Sequence, residues 1–380
     1  MTMGPELLVI RLRAEKPEEE ARLDRVLEEA LEGRRREEIR DPAVLRGVRG
    51  KRLLFAVPLG RFGVNTACTQ LLLRLREEPA LLEGCVSALI VDGGSELYTK
   101  SAAAELAFAL NTAGSALIGR PLVEATGSLA NFRIQAKVGG TDPDGAYRAA
   151  AGDLVDRLLA DDLPVRETPE ILVLHASSYH TSNTMQLWAQ LRARLEDRCR
   201  ITEIGLRNGA VSDCSGCPYT ACLHFGEQGR CFYGGLMQDE VWPAVLRAQA
   251  VVMLCPNYND ALSANLTAFI NRMTGLFRQT HFYDKAVFAV IVSGYSGGDI
   301  VARQIISALN MNKSFYLPPR FAMIETANDP GEALRLDGIG ARLDGFAARI
   351  RETLLGQTID IYKKNAVPPR ERTSDPPHPC

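Results

Sequence analysis

Short continuous apolar runs alternate with amphipathic stretches along the second half of the chain. None of the runs alternates with polar residues, and each is about as long as a strand buried on both faces of a sheet. The runs cover residues 171–175, 250–255, 287–292 and 321–324. The amphipathic stretches between them, which predict helices, cover 184–195, 262–277 and 299–310. This order of strands and helices predicts an α/β domain with a doubly wound parallel sheet.

The first half repeats this pattern more weakly. A strand over 53–57 leads to Asn65, twelve positions after its first residue, as the strand from Ile171 leads to Asn183. A second pair of similar segments is 109–115 and 308–314, and a third pair is 91–95 and 292–296. The three pairs of similar segments occur in the same order in both halves, which favours two tandem copies of one domain over chance likeness.

A proline-containing, charged segment over residues 161–169 divides the two halves. We therefore predict an α/β domain over 1–165, a second over 166–362 and a disordered tail over 363–380. The tail is polar and rich in proline, so it cannot bury enough apolar surface to fold alone.

Composition excludes several classes of protein. The net charge is −2 and the apolar fraction is 46%, so neither nucleic acid nor a membrane surface is an expected partner. We find no apolar run of membrane-spanning length and no basic region ahead of an apolar core near Met1. The odd number of cysteines, nine, argues against a disulfide scaffold. We expect a cytoplasmic protein.

One loop that follows a predicted strand is unusually rich in hydroxyl groups and leads directly into a predicted helix. A helix N-terminus presents unpaired N–H groups, which together with hydroxyls can surround a phosphate. A simple helix cap is the alternative, but a cap needs only one such residue. The candidate phosphate-binding residues are Ser177, Ser178, Tyr179, Thr181, Ser182, Asn183 and Thr184.

Two further loops follow predicted strands and contain residues suited to a flat ligand. A tyrosine in each can stack on a ring, and the glycines let the backbone approach a ligand closely. Ordinary turns are the alternative for both loops. The first contains Pro256, Asn257, Tyr258, Asn259 and Asp260. The second contains Ser293, Gly294, Tyr295 and Gly297.

Together these loops resemble the flavodoxin-like NADPH-dependent FMN reductases, nearest their iron–sulfur flavoprotein branch, over about residues 170–350. Ser177, Asn183 and Thr184 match the family's phosphate loop. Pro256, Tyr258 and the segment 263–272 match its next loop and helix. The resemblance implies FMN, with its phosphate in the first loop and its flavin ring against the other two. The first half lacks these residues, and we interpret it as a degenerate copy that binds no flavin.

Four cysteines form a compact group in the second half. Two, four and eight residues separate Cys214, Cys217, Cys222 and Cys231. Such spacing can hold a [4Fe–4S] cluster or, with four thiolates, a zinc ion. The related branch has a cysteine motif here, although its second and third cysteines are closer together. A loop that covers the flavin without metal is the third alternative.

The sequence therefore predicts an FMN-dependent oxidoreductase that takes electrons from NAD(P)H and passes them to a small molecule or a redox protein. We assign no general acid or base, because the flavin itself carries the chemistry. A non-catalytic electron carrier or redox sensor is the alternative. The apolar stripe on the helix over 262–277 predicts a homodimer or a higher homo-oligomer, unless the first half occupies that surface.

Overall fold

Each half of the chain forms a parallel sheet of five strands. The computed structural model describes residues 7–177 and 182–356, apart from the side chain of Tyr219. The first sheet contains β1 Leu7–Arg11, β2 Arg36–Ile39, β3 Arg52–Leu59, β4 Val86–Gly93 and β5 Ala116–Ala125. The second contains β6 Glu170–His175, β7 Arg200–Gly205, β8 Ala250–Pro256, β9 Ala286–Ser293 and β10 Ala322–Thr326.

The two sheets have the same strand order. The first runs β2-β1-β3-β4-β5 and the second β7-β6-β8-β9-β10, and the strands within each sheet are parallel. Numbered within its own half, each sheet has the order 2-1-3-4-5 of the flavodoxin-like fold. The predicted fold class, with two tandem α/β units, is therefore confirmed.

Helices cover both faces of each sheet. In the first half they are α1 Ala21–Ala30, α2 Thr66–Glu77, α3 Thr99–Thr112, α4 Arg133–Gly139 and α5 Pro143–Leu159. In the second half they are α6 Asn183–Ala193, α7 Tyr219–Glu227, α8 Trp242–Arg247, α9 Ala264–Phe277, α10 Gly298–Ile305 and α11 Ile339–Leu355. A π-helical turn over Ile306–Met311 continues α10.

One apolar core joins the two halves. It contains buried residues of both, among them Leu110 and Leu117 from the first half and Leu309 and Leu317 from the second. Each sheet has one further core on its outer face. That of the first sheet lies under α1 and α5, and that of the second lies under α6 and α11. The halves thus pack through their inner helices.

Two asparagines make reciprocal contacts between the halves. Asn111 donates from Nδ2 to the carbonyl oxygen of Pro318 at 2.7 Å, and Asn310 donates to that of Ile118 at 2.9 Å. Between them, Leu117 and Leu317 exchange two backbone hydrogen bonds of 2.9 and 3.0 Å. The second pair of similar segments, 109–115 and 308–314, therefore lies at a pseudo-symmetric interface. There the asparagine of each half is hydrogen-bonded to the other half.

The strand order shows that the first pair of similar segments is not structurally equivalent. The strand from Leu53 is the third along its own half and the strand from Ile171 is the first, so their loops are not equivalent. The counterpart of β3 is β8. Each carries a proline near its end, Pro58 or Pro256, and the cap of the next helix, Asn65 or Ser263, lies seven residues later. The third pair of similar segments, 91–95 and 292–296, does lie at equivalent places, the ends of β4 and β9.

The apolar stripe on α9 does not form an exposed surface. Leu266, Phe269, Met273 and Leu276 are buried in the core that joins the two halves, and Ile270 is partly buried against it. This removes the observation on which the homodimer prediction rested. In the part of the chain that the structure describes, no helix has the length and apolar character needed to cross a membrane.

Candidate functional site

The three predicted loops follow three neighbouring strands. β6, β8 and β9 are adjacent in the second sheet and parallel, so all three end at the same edge. In a doubly wound sheet, this carboxyl edge is where ligands bind. The structure brings the three loops to one edge. Ser178, Tyr179 and Thr181 lie outside the described residues.

Hydroxyl groups converge at the start of α6. The Oγ of Ser177 lies 3.1 Å from that of Ser182, which in turn lies 3.4 Å from Oγ1 of Thr184. Ser182 also caps the helix, because its Oγ accepts a hydrogen bond from the backbone N–H of Met185 at 3.3 Å. One hydroxyl therefore serves as a plain cap. Ser177 and Thr184 are the two additional hydroxyls that a cap does not require.

Asn183 ties α6 to the loop that follows β10. Its Nδ2 donates to the carbonyl oxygen of Asp329 at 3.0 Å, and its Oδ1 accepts from the N–H of Ala333 at 3.3 Å. The side chain predicted to bind a ligand thus holds two protein segments together.

Asn257 connects the second and third loops. Its Nδ2 donates to Oγ of Ser293 at 3.1 Å and to the carbonyl oxygen of Ser296 at 2.9 Å. Its Oδ1 is buried and has no hydrogen-bond partner among the described residues. The backbone of the second loop turns at Asn259 and Asp260, both in the left-handed region with φ of 53° and 57°. The hydrogen bonds of Asn257 therefore hold the second and third loops against each other.

Glycine is required where these loops touch. Gly297 has a φ of +84°, and a Cβ at this position would overlap Oδ1 of Asp260 and lie 3.0 Å from Nδ2 of Asn257. A Cβ on Gly294 would lie 2.9 Å from Oδ1 of Asn328. Both glycines therefore let the loops approach one another, and their role towards a ligand stays a prediction.

Two predicted tyrosines project from this edge. Tyr258 is 61% exposed and Tyr295 is 85% exposed, so neither ring is used in the protein core. Exposed aromatic rings beside a polar loop can stack on a flat ligand. Between the loops and the sheet, Pro256 is half-buried and Ser293 is buried.

Two features of this edge were not predicted from the sequence, namely the loop after β10 and Gln304 of α10. Asn328 and Asp329 donate backbone hydrogen bonds to the carboxylate of Glu332 at 2.6 and 2.8 Å. Gln304 donates to the carbonyl oxygen of Asp260 and accepts from the N–H of Leu262. The run of Asn, Asp, Pro and Gly over 328–331 is a turn signal that marks this fourth loop.

The comparisons with known proteins agree with this geometry. Residues 169–329 match the family model described as NADPH-dependent FMN reductase. The matched residues lie in the second half of the chain, which is similar to proteins of this family. The match confirms the prediction of an NAD(P)H-dependent FMN oxidoreductase, with FMN and a nicotinamide dinucleotide as its cofactors. None of the curated proteins matches the chain.

Several solved structures share the architecture at low identity. An NADH:FMN oxidoreductase in its apo form is 15% identical, covering 50% of this chain and 91% of its own, with a TM-score of 0.35. An FMN-dependent NADH-azoreductase from Bacillus anthracis is 12% identical, covering 48% and 99%, with a TM-score of 0.34. An NAD(P)H:quinone oxidoreductase from Methanothermobacter marburgensis is 14% identical, covering 50% and 99%, with a TM-score of 0.37. These likenesses are too weak to carry an argument about function.

The residues at the carboxyl edge of the second sheet fit FMN. The hydroxyl groups of Ser177 and Thr184 lie at a helix N-terminus, which suits a phosphate. Beside them lie exposed aromatic rings and the buried amide oxygen of Asn257, which has no donor among the described residues. Cys255, directly before Pro256, is fully buried, and burial raises the pKa of its thiol far above the usual range. That thiol therefore stays protonated and is not a nucleophile.

The corresponding edge of the first sheet has different chemistry. The loop between β1 and α1 contains Glu15, Glu18, Glu19 and Glu20 where a phosphate loop would lie. At the end of β4, Arg22 forms a salt bridge with Asp92 at 2.8 Å. The same guanidinium donates to the carbonyl oxygens of residues 93, 126 and 127 at 3.0–3.1 Å. An acidic loop repels a phosphate, and the guanidinium fills this edge with protein contacts.

The four clustered cysteines line one cavity in the second half of the chain. Cys214 is exposed, and Cys217, Cys222 and Cys231 are partly buried; all four are free thiols. Within residues 7–177 and 182–356, no three His, Cys, Asp or Glu side chains are grouped closely enough to hold a metal ion. As arranged here, the thiols do not fit a [4Fe–4S] cluster or a zinc ion.

Proposed function

We propose that the chain transfers electrons from NAD(P)H to a small acceptor such as a quinone, through one FMN bound at the carboxyl edge of the second sheet. The observation that carries this proposal is the meeting of three loops there, with hydroxyls at the start of α6 and the joined loops around Asn257 beside them. When bound, FMN supplies the hydride and electron chemistry.

The chain's own residues bind and orient the cofactor in this proposal. Ser177 and Thr184, with amides of the first turn of α6, hold the phosphate. Asn257 and Gly297 keep the second and third loops closed against each other, and Tyr258 and Tyr295 flank the flavin ring. Asn183 fixes the position of α6 relative to the loop after β10.

The first half acts as a structural partner that binds no flavin. Its acidic loop and the Arg22–Asp92 pair occupy the edge where a second FMN would lie. Its inner helices instead complete the core that both halves share. The eight cysteines in the described part of the chain are all free, which is typical of a reducing compartment and supports a cytoplasmic location.

Steady-state kinetics tests the activity. Full-length protein saturated with FMN should oxidise NADH or NADPH rapidly when a quinone is present and slowly when it is absent. A matched comparison with the Gly297→Ala variant controls for free flavin, because free flavin reacts equally in both samples. Flavin that is reduced by NAD(P)H but not reoxidised by quinones, dyes or free flavin would support an electron carrier or sensor instead.

A further inference from the structure

A cavity of about 600 Å³ lies between α7, α9, residues 214–218 before α7 and the segment that joins α7 to α8, and it shares no residue with the proposed flavin loops. Its volume falls within the range of small-molecule binding sites. The α9 residues that line it begin at Asn271, seven residues after the first residue of the helix. At a rise of about 1.5 Å per residue, this places the cavity about 10 Å along α9 from the loop that precedes it.

Aromatic rings form one wall of this cavity. The rings of Phe225 and Phe232 are 5.6 Å apart, and those of Phe232 and Tyr233 are 5.3 Å apart. Phe232 is nevertheless 69% exposed and Tyr233 is 46% exposed. Large aromatic side chains that remain this exposed beside a cavity indicate a surface suited to a flat apolar ligand.

The charged side chains of the cavity are all positive. Arg230, Arg272 and Arg278 line it, and none of the described lining residues is acidic. Arg272 is only 5% exposed. It donates to the carbonyl oxygen of Gly234 at 2.8 Å and to Oγ of Ser212 at 3.5 Å, while its Nε has no partner among the described residues.

A buried guanidinium without a carboxylate partner is costly, and an anion in the cavity would compensate its charge. We propose that this cavity binds a planar organic anion, with its aromatic body against Phe225 and Phe232 and its carboxylate or sulfonate towards Arg272. The proposal does not depend on FMN, because the cavity and the flavin loops use different residues. The cysteines contribute soft apolar surface to the wall.

Isothermal titration calorimetry on the FMN-saturated full chain tests the proposal. The probe is anilinonaphthalene sulfonate, an aromatic anion, and its uncharged relative phenylnaphthylamine is the matched ligand control. We expect one sulfonate probe to bind per chain. Arg272→Met should weaken its binding about tenfold or more, because a hydrogen bond to a charged group is lost, and should change binding of the neutral relative about twofold at most.

Two further variants keep the test decisive. Ala221→Trp, which fills the cavity from α7, should abolish binding of both ligands even if Arg272→Met is poorly folded. Arg198→Met removes an exposed guanidinium elsewhere and should change neither affinity. Unchanged probe binding in both Arg272→Met and Ala221→Trp would overturn the proposal. So would about four iron atoms or one zinc ion per chain in protein purified without oxygen, because the thiols would then hold a metal in this space.

Discussion

Replacing Gly297 with alanine should separate the two loops that we assign to the flavin ring. The residue has a φ of +84°, which costs an alanine about 1–2 kcal/mol. Its Cβ would also overlap Oδ1 of Asp260 and lie 3.0 Å from Nδ2 of Asn257, so both side chains must shift. That movement breaks the hydrogen bonds from Asn257 to Ser293 and Ser296, each worth about 1 kcal/mol.

The summed cost is about 3–4 kcal/mol, which corresponds to a loss of FMN affinity of about 100-fold or more. Titration of the apoprotein with FMN, followed by the quenching of flavin fluorescence, measures this loss. Gly152→Ala is the matched control, because Gly152 lies within α5 and a Cβ there meets nothing within 4 Å. That variant should bind FMN normally and gain up to about 1 kcal/mol of stability.

A double variant isolates the cause of the effect. Asp260→Ala removes the carboxylate that the new Cβ would overlap, so Gly297→Ala combined with Asp260→Ala should recover about tenfold in affinity over Gly297→Ala alone. FMN binding by the single variant within about threefold of the wild-type protein would refute the assignment of these loops. It would mean that their contact has no part in holding the flavin.

Three further predictions concern stoichiometry, the phosphate and pH. Purified protein should bind one FMN per chain by absorbance, and two would contradict the role given to the first half. Ser177→Ala with Thr184→Ala should weaken FMN binding about 100-fold in the same titration, whereas Ser101→Ala on α3 should not. Burial raises the pKa of Asp161 to about 6, so this carboxyl group destabilises the fold above pH 6 and not below pH 4. Asp161→Asn should therefore raise the free energy of unfolding in urea by about 1–2 kcal/mol at pH 8 and leave it unchanged at pH 4; an equal effect at both would reject the titration.

The central strands of the second half could be predicted because each is a continuous apolar run. β8 and β9 are buried on both faces, and their sequences contain little else than apolar residues. The edge strand β10 overlaps the apolar run predicted over 321–324, but the edge strands β2 and β7 could not be found in this way. β7 reads Arg-Ile-Thr-Glu-Ile-Gly and β2 reads Arg-Glu-Glu-Ile, because an edge strand exposes polar side chains to water.

The candidate site was predictable only in part, because its residues act through contacts between distant segments. The three loops were identified from their composition, which reflects turns at strand ends. The chain position of Asn183 does not show that its side chain bonds to Asp329, 146 residues away. Nor could the wrong pairing of β3 with β6 be detected, since only strand order shows which loops are equivalent.

Pairing between the two halves bears directly on the oligomeric state that we expect. Each half alone would expose the apolar surface around Leu117 or Leu317. The carboxamide of Asn111 or Asn310 would also lose its hydrogen bond to the other half. Within one chain these surfaces cover each other, and the stripe on α9 is buried as well. A second chain therefore has no such surface left to cover, and we expect sedimentation velocity to show a monomer at micromolar concentration. A stable dimer would show that a different surface pairs the chains, and the homodimer predicted from the sequence would then stand for another reason.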